Sequence, residues 1–155
     1  MSTYTGWACD TCGRVIALPD DGLVAWSSGP NAPYDQIRLV HKDDKKSDAD
    51  SPCYPREGVW SSIELRELIG DAGLSRLLSW LSNGPLEGRP GGRGVLDVDG
   101  FVDLVRRLHT PWYEQARPWL SSRDQTTLGM LDYPNEYSPY VPQELLRIAQ
   151  ERRYS

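Results

Sequence analysis

The stretch Cys9-Asp10-Thr11-Cys12-Gly13 constrains this chain more than any other short segment. Two thiols separated by two residues face one ion from the tip of a tight turn, and the following glycine accepts the positive φ that such a turn demands. The chain has one further cysteine, Cys53, and one early histidine, His41. Together these make a C-x2-C…H…C set, enough for one closed Cys3His tetrahedron around a zinc ion. Eleven residues lie between His41 and Cys53, so a loop must bring the second half-site together. Asp43, Asp44, Asp48 or Asp50 is an alternative to His41 as the fourth ligand. Four protein ligands leave no open coordination position, so such an ion is structural and a zinc-hydroxide mechanism is excluded. A nucleobase deaminase is excluded too, because that chemistry places H-x-E ahead of P-C-x-x-C and here the cysteine pair comes first.

Three cysteines are an odd number, which rules out a complete set of internal disulfides and favours metal. The start of the chain has neither a basic n-region nor an apolar h-region, and no window approaches eighteen apolar residues. The expected setting is the reducing cytoplasm, with no membrane partner. At 155 residues the chain is expected to be one domain, or a small module attached to a larger one. Its net charge of −5 argues against a surface that tracks nucleic acid. Six Trp and eight Tyr against one Phe favour amphipathic rings, which suit both cores with polar rims and binding surfaces.

The fold class expected is α+β: a zinc-stapled antiparallel β-ribbon over residues 1–58, followed by a helical domain of four to five helices over 59–155. Strands are expected at 14–18, 22–26 and 36–41, with Pro19-Asp20-Asp21-Gly22 turning the chain between the first two. Lys42–Ser51 is charged or small and reads as a solvated excursion. From Ser61 the apolar spacing of Ile63, Leu65, Leu68, Ile69 and Ala72 predicts a helix, and Leu74, Leu77, Leu78 and Leu81 predict a second one after a break at Gly73. A third helix is expected behind an aspartate cap at Asp97 or Asp99. A fourth starts at Thr110-Pro111 and meets Pro118, and a last one runs from Pro142 to Arg152.

Other motifs carry less. Residues 68–84 have the spacing of a degenerate helix-turn-helix, but Leu77, Leu78, Trp80 and Leu81 fill the positions that should read bases, leaving Arg76 and the Arg89/Arg93 connector for DNA. Asp97-Val98-Asp99-Gly100 puts Val95 and Arg106 where a calcium loop needs oxygen ligands, so helix capping accounts for the aspartates. His109, with Asp103 or Glu114 to orient it, is the one candidate general base. The Tyr- and Pro-rich segment at 132–140 suits an interface, since Tyr brings large contact area at little entropic cost.

Trp7 to Gly13, Gly73-Leu74-Ser75-Arg76-Leu77-Leu78-Ser79 and Arg106 to Glu114 together make the chain similar to small bacterial proteins of uncharacterised function. Those carry an N-terminal zinc-ribbon-like segment and a helical remainder. The resemblance implies an architecture and brings no reaction. The function expected is therefore a zinc-binding, non-enzymatic interaction or adaptor protein whose partner is another protein, with Trp60, Tyr133, Tyr137 and Tyr140 as contact residues. A DNA-binding regulator using 68–84 and a small enzyme centred on His109 are the alternatives.

Overall fold

The computed structural model describes residues 6–27, 33–42, 52–81, 94–121 and 140–151. The fold class is α+β, as expected. Two compact units divide the chain: Thr5–His109, and Thr110–Ser155 with Met1–Tyr4.

The first unit opens with a short hairpin, β1 (Trp7–Ala8) against β2 (Val15–Ile16). A 3-10 turn at Pro19–Asp21 then feeds β3 (Gly22–Ser27), which pairs antiparallel with β4 (Asp35–His41) on one side and β5 (Trp60–Glu64) on the other. The order β4-β3-β5 puts β3 in the centre, where Gly22 to Trp26 are all buried. A short 3-10 segment, Leu65–Leu68, leads to α1 (Gly70–Leu81), and α2 (Val98–His109) completes the unit. Both oxygens of Asp97 are used. One accepts from the Gly100 amide at 2.9 Å and caps α2, and the other accepts from the Ile37 amide at 3.1 Å and ties that cap to β4. The capping reading of this acidic loop therefore holds for Asp97.

One core spans the unit. Ile16, Leu23, Val24, Leu39 and Val40 of the strands are fully buried with Leu65, Leu68 and Leu77, and the cluster extends to Phe101, Leu104 and Leu108 on α2. Its aromatic part is tight: Tyr34 stacks on Trp80 with ring centroids 4.1 Å apart, and Trp26 tilts against both.

Two expectations need correction. Residues 60–64 form a strand rather than the start of a helix, and Ile63 pairs with Val24 inside the sheet. Short apolar runs fit either period, and here the free edge of β3 decides the matter. Across the boundary expected at 58/59, where the two parts are expected to pack together, β5 completes the sheet and α1 and α2 pack into the same core. The break expected at Gly73 is also absent: α1 runs through it from Gly70 to Leu81. Among the described residues of the helix-turn-helix reading at 68–84, those from Gly70 to Leu81 form the single helix α1, without the turn that motif places between two helices.

In the second unit, α3 (Tyr113–Ser121) and α4 (Pro142–Glu151) pack on each other through Tyr113, Ala116, Leu145 and Ala149. The helix expected from Thr110 begins at Tyr113, because Trp112 sits at φ +69°, outside the helical region, while its carbonyl accepts from the Ala116 amide at 3.0 Å. The ring of Trp112 packs against this small core, which offsets the left-handed backbone. No helix among the described residues is long and apolar enough to cross a membrane.

Gly73 gives a test of the packing. A Cβ built there lies 2.0 Å from the carbonyl carbon of Leu68 and 2.4 Å from its oxygen. Gly-to-Ala within a helix normally stabilises by about 1 kcal/mol. Gly73→Ala should instead destabilise by about 1–3 kcal/mol, as overpacking against fixed backbone does, and urea unfolding reads the sign.

Candidate metal centre

The cysteine pair forms the turn that its sequence requires. The Gly13 amide donates to the Cys9 carbonyl at 2.9 Å, the Cys9 amide donates to the Arg14 carbonyl at 2.9 Å, and Gly13 lies at φ +74°. These bonds direct the sulfurs of Cys9 and Cys12 to the same side. His41 arrives from the last position of β4, opposite Gly22 of β3. Cys53 arrives from the turn at 52–54, whose backbone is held to the knuckle by the Thr11 hydroxyl, which donates to the Cys53 carbonyl at 2.7 Å. The donor atoms of Cys9, Cys12, His41 and Cys53 all lie within 4.8 Å of one another. The ring Nδ1 of His41 is 3.4 Å from the sulfur of Cys12 and 3.7 Å from that of Cys53.

The imidazole is oriented from behind. Its Nε2 is 3.2 Å from the Val15 carbonyl, which can only accept, so the proton belongs on Nε2 and the lone pair of Nδ1 faces the sulfurs. The arrangement is compatible with a histidine that ligates a metal with a carbonyl behind it. Asp43, Asp44, Asp48 and Asp50, the alternatives to His41, lie outside the described residues.

The three thiols have different surroundings. Cys9 and Cys53 are buried, at 3% and 6% exposure, whereas Cys12 is exposed. The Arg14 backbone and side chain hydrogen-bond the Cys12 sulfur, which favours the thiolate and lowers its pKa to about 6. Burial pushes the Cys53 thiol up to about 11, and its sulfur neighbours add to that effect. A divalent ion would reverse this second shift by supplying the positive charge that the buried thiolate lacks.

A network unanticipated from sequence aims the knuckle. Arg107 of α2 is only 2% exposed, and its guanidinium meets both carboxylate oxygens of Asp10 at 3.0 Å. It also donates to the Ala8 carbonyl at 2.6 Å, while the Trp7 indole donates to the Arg107 carbonyl at 3.2 Å. The same Asp10 carboxylate accepts from the Leu39 amide at 2.7 Å, and the Asp10 amide donates to the Leu39 carbonyl at 2.8 Å. Asp10 thus lies along the outer edge of β4 and under α2 at once. One signal was present: Phe101, Leu104, Arg107 and Leu108 share a helical stripe, so an arginine occupies a position facing the core.

The other named candidates stand elsewhere. His109 has Nε2 2.8 Å from the Leu68 carbonyl, a bond that holds the end of α2 to the 3-10 segment. Trp60 donates from its indole to the Glu57 carbonyl at 2.6 Å, and the Arg38 guanidinium covers its ring at 5.3 Å. Tyr140 packs against Tyr113 at the start of α3, with ring centroids 6.2 Å apart. Arg76 pairs with Glu67. Tyr133, Tyr137, Arg89 and Arg93 lie outside the described residues.

No protein-family model matches the chain, and neither does any curated protein or any solved structure.

The Asp10–Arg107 pair makes its own prediction. Asp10→Ala takes from the buried Arg107 guanidinium the carboxylate it meets and should cost on the order of 3 kcal/mol in chemical unfolding. The double variant Asp10→Ala/Arg107→Met should recover most of that loss, because no buried charge is left unpaired.

Proposed function

We propose that the chain is a non-enzymatic interaction protein whose first unit is stapled by one structural zinc ion on Cys9, Cys12, His41 and Cys53. The observation that carries this reading is the convergence of the four donors with Nδ1 of His41 turned inward. A tetrahedral ion with zinc–sulfur bonds of about 2.3 Å and a zinc–nitrogen bond of about 2.0–2.1 Å separates sulfur from nitrogen by about 3.6 Å. The separations of 3.4 and 3.7 Å bracket that edge. Three soft thiolates and one imidazole suit zinc better than magnesium or calcium, which prefer oxygen. Four protein donors leave no position for a substrate or an activated water, so the ion holds structure and performs no reaction.

The protein-binding part of the reading rests on exposed apolar side chains. Leu78 and Leu81 on α1 are 53% and 54% exposed, and Val98 on α2 is 55% exposed. Large apolar groups left to water on otherwise packed helices suit a protein partner.

The purified chain should hold one zinc ion, and Cys12→Ser or His41→Ala should lose it under a chelator that leaves the parent loaded, as read by metal analysis. Uptake by the metal-free protein at pH 7.5 should release protons, because Cys53 starts as a thiol with its pKa pushed to about 11. Cys12, with a pKa lowered to about 6, is already a thiolate there and adds its proton only as the pH falls through 6. Affinity should therefore fall with falling pH, and more steeply below about 6, at about tenfold per pH unit for each proton displaced. Calorimetry in buffers of different ionisation heat reads the proton count.

For the interaction, Leu78→Glu/Leu81→Glu should abolish capture of a partner by the tagged, zinc-loaded chain while leaving metal content and unfolding unchanged. Undiminished capture by that variant would remove α1 from the contact surface.

A further inference from the structure

The three sulfurs are unequal in a way that a purely structural site does not need. Cys9 and Cys53 are buried, and Cys12 is the most exposed of the three. Cys12 also shares a tight turn with Cys9, and that turn is closed by backbone bonds from Gly13 and Cys9 that do not involve an ion. We infer that Cys12 is an oxidation site, and that its reaction with hydrogen peroxide links it to Cys9 and releases the ion. This rests on the zinc reading above and adds a regulated state to it.

The chemistry balances. The Cys12 sulfur attacks one peroxide oxygen, the O–O bond breaks, and the departing hydroxide takes a proton to become water, leaving a sulfenic acid on Cys12. The Cys9 thiolate then attacks the Cys12 sulfur. A disulfide forms, the S–O bond breaks, and the second hydroxide also leaves as water on taking a proton. Two thiolates have lost two electrons, and the peroxide has gained them. The sulfurs start within 4.8 Å and must close to about 2.05 Å, a movement within the reach of two side chains in one turn. Two of the four ligands are then gone. His41 and Cys53, from separate segments, make a site too poor to keep the ion. Cys9 is the resolving thiol because its position relative to Cys12 is set by the turn itself, whereas Cys53 belongs to another segment.

The test uses the full chain carrying one zinc ion, with hydrogen peroxide and a chromogenic chelator. Zinc release should track the loss of two of the three thiols, and non-reducing peptide mapping should find Cys9 joined to Cys12 with Cys53 free. Reductant with added zinc should restore the loaded state. Cys12→His keeps four donors but removes the exposed thiol, and its release should be at least about tenfold slower. The mapping on the parent chain stands without any variant. Zinc release with Cys12 still reduced, a bridge that includes Cys53, or retention of zinc and all three thiols would each overturn the inference. A chain that never takes up zinc would overturn the metal reading itself, and a chain that loads and then resists peroxide would overturn only the switch.

Discussion

The contact between Asp10 and Arg107 decides where the Cys9–Cys12 knuckle points. Asp10 lies between two ligand cysteines in sequence, and its carboxylate serves two masters: the guanidinium of α2 and the amide of Leu39 on β4. Moving either element would move the sulfurs. A buried ion pair is a poor source of net stability, because desolvation consumes most of the Coulombic gain. Its value is directional. Both oxygens of Asp10 and several donors of Arg107 are engaged at once, so alternative placements of the turn would leave a buried charge without partners. Arg107 thereby converts a locally determined turn into a turn with one address on the fold.

The ribbon end of the first unit needs such help. A hairpin of two-residue strands is not stable on its own, and β1 and β2 contribute little beyond Trp7 and Ile16 to the core. At the opposite extreme, Trp26, Tyr34 and Trp80 bring large rings together in the core of their part of the unit. The same chain thus uses two means of ordering polypeptide: apolar area where there is enough of it, and hydrogen-bonded polar groups where there is not. The edge of β4 shows the second means plainly. Its Leu39 amide and carbonyl, which would otherwise sit on an open edge, are both taken by Asp10.

The sequence disclosed this molecule unevenly, and the reasons are physical. The four donors were legible because cysteine and histidine at such spacing have few other uses, and the strands at 22–27 and 35–41 were legible from their apolar content between turns. The helix behind Asp97 was legible from its cap. Residues 60–64 were not, because Ile63, Leu65, Leu68 and Ile69 fit a helical stripe as well as a strand followed by a tight turn. The choice was made by a vacancy beside β3, which no local window contains. Gly73 misled for the opposite reason: glycine commonly breaks a helix, but here the close approach of the Leu68 backbone explains its absent side chain. Arg107 was hidden by its neighbour, since Arg106-Arg107 reads as a solvated pair until Asp10, far away in sequence, draws one of them inside.

The ligands come from separate stretches, and this determines what losing one of them does. The knuckle, the end of β4 and the turn at Cys53 already meet through the Thr11–Cys53 and Asp10–Leu39 hydrogen bonds, and an ion on the four donors would add cross-links between Cys12 and His41, 29 residues apart, and between His41 and Cys53, 12 apart. Closing loops of such lengths is worth on the order of 3 kcal/mol each when borne by a single cross-link. A bridge between Cys9 and Cys12 closes neither of them. It spans a turn already closed by its own hydrogen bonds, so it retains the local shape while surrendering both long-range ties. The oxidised chain would then keep the shape of the knuckle without its two thiolates, and His41 and Cys53 would be left to their own hydrogen bonds to Val15 and Thr11. Because the turn, Asp10 and Arg107 stay in register throughout, reduction returns two thiolates to the positions from which the tetrahedron can close again.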